Sequence, residues 1–133
     1  MNRYFDIALN LASERFSGER DKVIADALTR NVNYFNIVCS SLNELDFVKD
    51  LNDRYRQNSC FTLGVHPHNA NELNGDTLES LKNSIKIHQP SAVGETGLDF
   101  FRNLSSYENQ IDAFEQQIII SVSYTHLRAH ETP

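Results

Sequence analysis

Two hydrophobic periods alternate along this chain about every thirty residues, and no other feature constrains its fold so strongly. Short apolar runs over residues 4–11, 34–39, 60–65 and 92–94 are bounded by polar or turn residues and read as strands. Between them the spacing changes to that of a helix. Val23, Ile24, Ala27 and Leu28 share one face of a segment over 21–30, which Asn31, Val32 and Asn33 close. Leu42, Leu45, Val48, Leu51 and Tyr55 mark a second helix, Leu78, Leu81 and Ile85 a third, and Ile111, Phe114 and Ile118 a fourth. Ser41 with Glu44, and Ser105 with Glu108, match the hydroxyl-to-carboxylate spacing of a capping box, and Asp76 opens the third helix. The strands begin near residues 4, 34, 61 and 92, so they are spaced 30, 27 and 31 residues apart. That is the length of a βα unit, and the alternation predicts an α/β fold with a parallel sheet and helices packed outside it.

No Pro/Ser/Gly linker or low-complexity stretch divides these four units. A closed (β/α)8 barrel takes roughly 250 residues, so four units amount to half of one. A small open sheet fits the same spacing. Composition narrows the function. Twelve Lys and Arg against eighteen Asp and Glu leave a net charge of −6, which excludes a general basic clamp on nucleic acid. A chain of this charge that handles phosphates needs a metal ion or a local basic pocket. No apolar run reaches the length of a membrane span, and Asp6 interrupts the first apolar stretch with no cleavage site after it. Cys39 and Cys60 make no disulfide framework and read as small buried hydrophobes, so the expected compartment is a reducing cytoplasm.

The polar residues gather just past the strands. The first strand carries Asp6 and runs to Asn10, the third runs into His66, Pro67 and His68, and the fourth into Gly94, Glu95, Thr96, Gly97, Leu98 and Asp99. In a parallel sheet these C-terminal strand ends share one rim, where barrels of this type place their chemistry. Glu95, between two glycines, suits a hard divalent cation; it could equally cap its loop or pair with Arg102. His66 and His68 flank a proline, and strand alternation lets only one of them face the rim centre. Either could instead be a loop histidine bonded to backbone. Asp99 reads as a residue that orients the neighbours of Glu95, or as a partner of Arg102. Asn10 could hold a water or phosphate, or simply end its strand.

Taken together, Asp6 to Leu11, then Gly64-Val65-His66-Pro67-His68, then Val93-Gly94-Glu95-Thr96-Gly97-Leu98-Asp99-Phe100 resemble the TatD family of metal-dependent deoxyribonucleases. The resemblance spans residues 4 to about 119. It implies a (β/α)8 barrel of the amidohydrolase kind that hydrolyses phosphodiester bonds in DNA with magnesium, manganese or zinc. It also implies that Glu95 is a metal ligand and that His66 lines the site and helps to position phosphate. The site expected on this rim has His66 and Asp99 as catalytic residues, with Asn10, His68 and Arg102 supporting substrate or ligands around them. A metal-activated water would attack phosphorus.

Two departures stand out. Many family members carry two histidines on the first strand at the positions of Ala8 and Asn10, although one branch shares the asparagine. The family also continues into later strands that deliver two further histidines and an aspartate. Here residues 121–133 follow instead, a tail unlike the family that resembles the translation of a sequencing adapter or a misassembled end. His126, His130 and Glu131 within it lie on no apolar stripe and are not read as a site. The expectation is therefore an incomplete half-barrel over residues 1–120, inactive alone, with open edges that favour self-association. A non-catalytic βα module binding a phosphorylated metabolite or a partner protein is the alternative.

Overall fold

The computed structural model describes residues 3–129. Four strands, β1 (Tyr4–Leu9), β2 (Val32–Ile37), β3 (Ser59–Leu63) and β4 (Ala92–Val93), alternate with four helices, α1 (Arg20–Thr29), α2 (Leu45–Arg54), α3 (Gly75–His88) and α4 (Tyr107–Ala129). All strand pairs are parallel, and their order in the sheet is β1-β2-β3-β4. Strand order therefore follows chain order without reversal. A doubly wound sheet needs a reversal to make its ligand crevice; this sheet has none, and its four strands curl as a half-barrel.

The first three strands end two residues earlier than their apolar runs, because regular pairing stops while backbone bonding continues. Val38 N–H donates to Leu9 O at 3.0 Å, Gly64 N–H to Cys39 O at 3.2 Å and His66 N–H to Ser40 O at 3.0 Å. These bonds carry extended backbone up to the rim. Phe35, Ile37, Cys39, Phe61, Leu63 and Val65 alternate onto the outer face and pack with Ile24 of α1, Leu45, Val48 and Leu51 of α2, Leu81 and Ile85 of α3 and Ile120 of α4. The opposite face carries Asn36, Cys60, Thr62 and Gly64. Asn36 ties that face together: its Nδ2 donates to Ile7 O at 3.0 Å, bridging the irregular register of β1, and its Oδ1 accepts from Ser91 Oγ at 3.2 Å and Cys60 Sγ at 3.4 Å.

Local signals set the helix ends, with shifts. Asn31 closes α1 in the left-handed region at φ 65°. The third helix begins one residue before Asp76, with Asn74 as its cap and Thr77 completing a reciprocal box. Ser41 makes no capping bond, and Glu44 accepts from Ser40 N–H instead. At α4 the cap is Ser106, whose Oγ accepts from Asn109 N–H at 3.2 Å. Ser105 is unavailable for capping because it is buried and bonded to the loop after β3.

The fourth helix differs most from expectation. Its buried face is Gln110, Ala113, Gln117 and Ile120, while Ile118, Ile119 and Val122 are exposed. The apolar stripe through Ile111, Phe114 and Ile118 thus lies beside the contact, not on it. The helix runs unbroken across residue 120. His126 falls on its last turns, and His130 and Glu131 lie outside the described residues.

The close approach of β3 and β4 depends on Gly64. A Cβ there would lie 2.7 Å from Cα and C of Gly94 and 2.9 Å from Gln117 Oε1. Gly64→Ala should therefore lower the unfolding free energy by about 2 kcal/mol, the usual scale of overpacking against a rigid neighbour. Gly75→Ala, which meets nothing within 4 Å, should be neutral or mildly stabilising. Urea unfolding of the two variants distinguishes the cases.

Candidate active site

The rim is assembled from the loops after β3 and β4. Past β3 the chain enters a 3₁₀ turn over Pro67–Glu72, and Pro67, with its fixed φ, starts it. Strand alternation consequently stops at His66. His66 and His68 do not point apart; their rings meet edge to face with centroids 4.2 Å apart. The expectation that one of them turns away fails because it assumes extended backbone where the chain has already turned.

His68 N–H donates to His66 Nδ1 at 3.1 Å. With Nδ1 accepting, the neutral ring carries its proton on Nε2. That nitrogen faces Glu95 Oε1 at 3.8 Å, inside ion-pair range but too long for a hydrogen bond. His66 thus presents an N–H, suited to a carboxylate or phosphate oxygen, and not a metal-binding lone pair. Burial pushes its pKa below the ordinary histidine value, with the Glu95 charge opposing.

His68 Nε2 donates to Asp99 Oδ2 at 2.7 Å. The same oxygen accepts from Arg102 Nη1 at 3.0 Å, and Asp99 Oδ1 accepts from Arg102 N–H at 3.0 Å. The backbone bond from Arg102, then the His68 bond, then the Arg102 guanidinium hold Asp99 well below the usual carboxylate range. Of the alternatives open in the sequence, Arg102 pairs with Asp99 and not with Glu95. His66, His68, Glu95, Asp99 and Arg102 form one continuous cluster. Asn10 does not join it: it is exposed at the end of β1, on the far edge of the sheet, and its backbone oxygen accepts from Ser13 N–H.

Two residues behind this cluster carry no obvious sequence signal of function. Gln110 and Gln117 are each only 1% exposed, seven residues apart on the inner face of α4. Gln117 Oε1 accepts from Val65 N–H at 2.7 Å and its Nε2 donates to Val65 O at 3.1 Å. It grips the residue before His66 as a neighbouring strand would. Gln110 Oε1 accepts from Asp99 N–H at 2.8 Å, and its Nε2 donates to Ser105 O at 2.8 Å. Ser105 Oγ in turn donates to His68 O at 2.8 Å. One helix face therefore sets both rim loops. The available signal was two amides at i and i+7 flanking an apolar stripe.

Glu95 is half exposed, and the neighbouring Thr96 Oγ1 is sealed from solvent without a hydrogen-bond partner. Both are hard oxygen donors of the kind a divalent cation takes. Among the described residues, however, no three His, Cys, Asp or Glu side chains group as metal ligands. Cys39 is no candidate, since burial pushes its thiol up to about 12. A cavity of about 200 Å³ lined by Phe5, Tyr34, Phe35, Asn58 and Cys60 lies at the opposite, N-terminal end of the strands.

Over residues 5–127 the sequence matches the family described as TatD related DNase. This chain belongs to that family. The 3'-5' ssDNA/RNA exonuclease TatD of Erwinia tasmaniensis is 38% identical over 135 residues, covering 96% of this chain and 51% of that protein. The protein of the same name from Escherichia coli is 37% identical over 134 residues with the same coverage. The chain spans about half the length of the curated relatives it matches. Among solved structures, a TatD family hydrolase from Entamoeba histolytica superposes with a TM-score of 0.82 at 25% identity, over 93% of this chain and 47% of that one. YJJV, a TatD homolog from Escherichia coli, gives 0.82 at 25%, over 92% and 48%. No helix among the described residues is long and apolar enough to cross a membrane.

The Asp99 network predicts a pH signature. Its pKa is depressed in the fold, so the unfolded chain binds the proton first as pH falls below the ordinary value of 3.8. The stabilisation is complete above about pH 4 and is lost as pH falls from there toward the folded value. Asp99→Asn should be less stable at neutral pH and should lose stability less steeply below pH 4 than the wild type. Urea unfolding across that range reads the difference.

Proposed function

We propose that this TatD chain forms the first half of a phosphodiester-cleaving site that trims single-stranded nucleic acid from its 3′ end with the help of a divalent cation. The observation that carries this reading is the placement of the His66 Nε2–H beside Glu95 Oε1, on the rim that a parallel barrel uses for chemistry. The names of the relatives supply the substrate class. His66 offers an N–H to a non-bridging phosphate oxygen. Glu95 is the carboxylate placed to contribute an oxygen to a cation, which when bound offsets phosphate charge and acidifies water. Asp99 holds His68 and turns the Arg102 guanidinium outward, where its remaining N–H groups can meet a phosphate. The donors still required come from further βα units, as the family resemblance implies.

A fusion of residues 1–120 to the second half of the Escherichia coli relative tests the assignment. With magnesium or manganese it should shorten a 5′-labelled single strand from the 3′ end, and Glu95→Ala should reduce the rate by at least about a hundredfold, the scale of losing a charge-stabilising group. The 133-residue chain alone should give no metal-stimulated cleavage above background. A folded fusion that does not cleave, or one indifferent to Glu95→Ala, refutes the reading and favours a non-catalytic binding module.

The same incompleteness governs association. Among the described residues, β1 and β4 each pair on one side only. Ile7 is 71% exposed, and Tyr4, Phe5 and Tyr34 are exposed near it. Parallel sheets are stable when covered on both faces and free of open edges. The isolated chain is therefore expected to self-associate through these strands. Light scattering should show mass rising with concentration; monodisperse monomers at high concentration would contradict it.

A further inference from the structure

We propose that the loop joining β4 to α4 is a stacking platform for unpaired nucleobases, with Phe101 as the surface on which a base lies and Arg102 as the adjoining phosphate contact. The inference rests on the single-stranded substrate proposed above and assigns the part of the chain that would grip it.

Phe101 is 97% exposed, more than any other large hydrophobic residue described. Its neighbour Phe100 has a partner, since its ring stacks on Tyr107 at 4.4 Å between centroids and 25° between planes. No ring packs on Phe101 among the described residues. Nor does a loose loop account for this exposure. Both Asp99 carboxylate oxygens, and the Asp99 backbone through Asn103 and Gln110, fasten the turn on which Phe101 sits. Asn103 adopts the left-handed region at φ 50° to complete it. A rigid turn thus holds an aromatic face in water, next to an arginine whose side chain is 64% exposed. Through Asp99, that arginine shares an oxygen with His68 of the rim.

The chemistry of this surface favours a nucleobase. The chain carries a net charge of −6, so its long-range field does not draw in a phosphate backbone, and a contact that is independent of charge gains in weight. Stacking on an aromatic face does not depend on net charge, and it tolerates any base because every base has a π-face. It is also blind to the 2′-hydroxyl, so it serves DNA and RNA alike. A duplex keeps its base faces covered and gains nothing from it.

Fluorescence anisotropy of the full chain with a short 5′-fluorescein oligothymidylate, in EDTA to exclude metal-bridged phosphate contacts, tests the platform. Phe101→Ala should weaken binding about tenfold, with Phe101→Trp at or above wild-type affinity. The slope of log affinity against log salt should be unchanged in Phe101→Ala and shallower by about one ion in Arg102→Ala. Circular dichroism verifies that each variant is folded. Wild-type affinity in Phe101→Ala, or equal weakening in Phe101→Ala and Phe101→Trp, overturns the platform while the fusion assay still judges the reading above. A Phe101→Ala chain that changes oligomeric mass and not oligonucleotide affinity also overturns it, marking a protein contact. A wild-type chain that binds no oligonucleotide overturns the platform and leaves the reading above to the fusion assay.

Discussion

The carboxamide of Gln117 closes two hydrogen bonds on the backbone of Val65, and the rim depends on that grip. A side chain from the helical layer would ordinarily stop at the outer face of the sheet. Here it reaches main chain at the point where β3 has lost regular pairing and no neighbouring strand satisfies Val65. Gly64 makes the approach possible, because a methyl group at that position would occupy the space of Gly94 and of the amide oxygen. Unmade, each of those buried backbone bonds would cost about 1–3 kcal/mol. Gln110, two turns earlier, does for the β4 loop what Gln117 does for the β3 loop. The helix thereby fixes the separation of His66 from Glu95 and of His68 from Asp99 without touching any of these side chains.

The βα repeat was legible because strand and helix periods each leave an imprint in apolar spacing that does not depend on tertiary context. The rim was legible because parallel strands place their C-terminal ends together, so His66 and Glu95 could be assigned to one edge from strand order alone. What escaped is what depends on contacts distant in sequence. The inner face of α4 was misplaced because Gln110 and Gln117 are polar by composition and buried only by virtue of the backbone they bond. The Ser105 box was misplaced by one residue because that hydroxyl is recruited by Asn71 and His68, more than thirty residues away. The joint placement of His66 and His68 was missed because strand alternation was carried past the apolar run, into the segment where Pro67 begins a 3₁₀ turn.

Within the cluster, Asp99 is the electrostatic centre. It serves two donors with one oxygen and a backbone N–H with the other. A carboxylate so engaged stays charged well into acid and is a poor proton acceptor. It acts by orientation, holding His68 against the rim and Arg102 toward solvent. Glu95, half exposed and bonded to nothing at hydrogen-bond distance among the described residues, keeps its oxygens open to solvent. Two carboxylates four residues apart are thus divided by their partners into one fully engaged and one left open to solvent.

The sequential strand order bears on how such a molecule assembles. Neighbours in space are neighbours in the chain, so each βα unit docks on the edge left by its predecessor, and most pairing waits only about thirty residues for its partner. Loops of that length close at modest entropic cost. Growth from a ribosome could therefore lay the sheet down strand by strand, in the direction of synthesis and without rearrangement. The outer edge of β1 is the exception: made first, it stays uncovered the longest, and a nascent chain is most exposed to mispairing there.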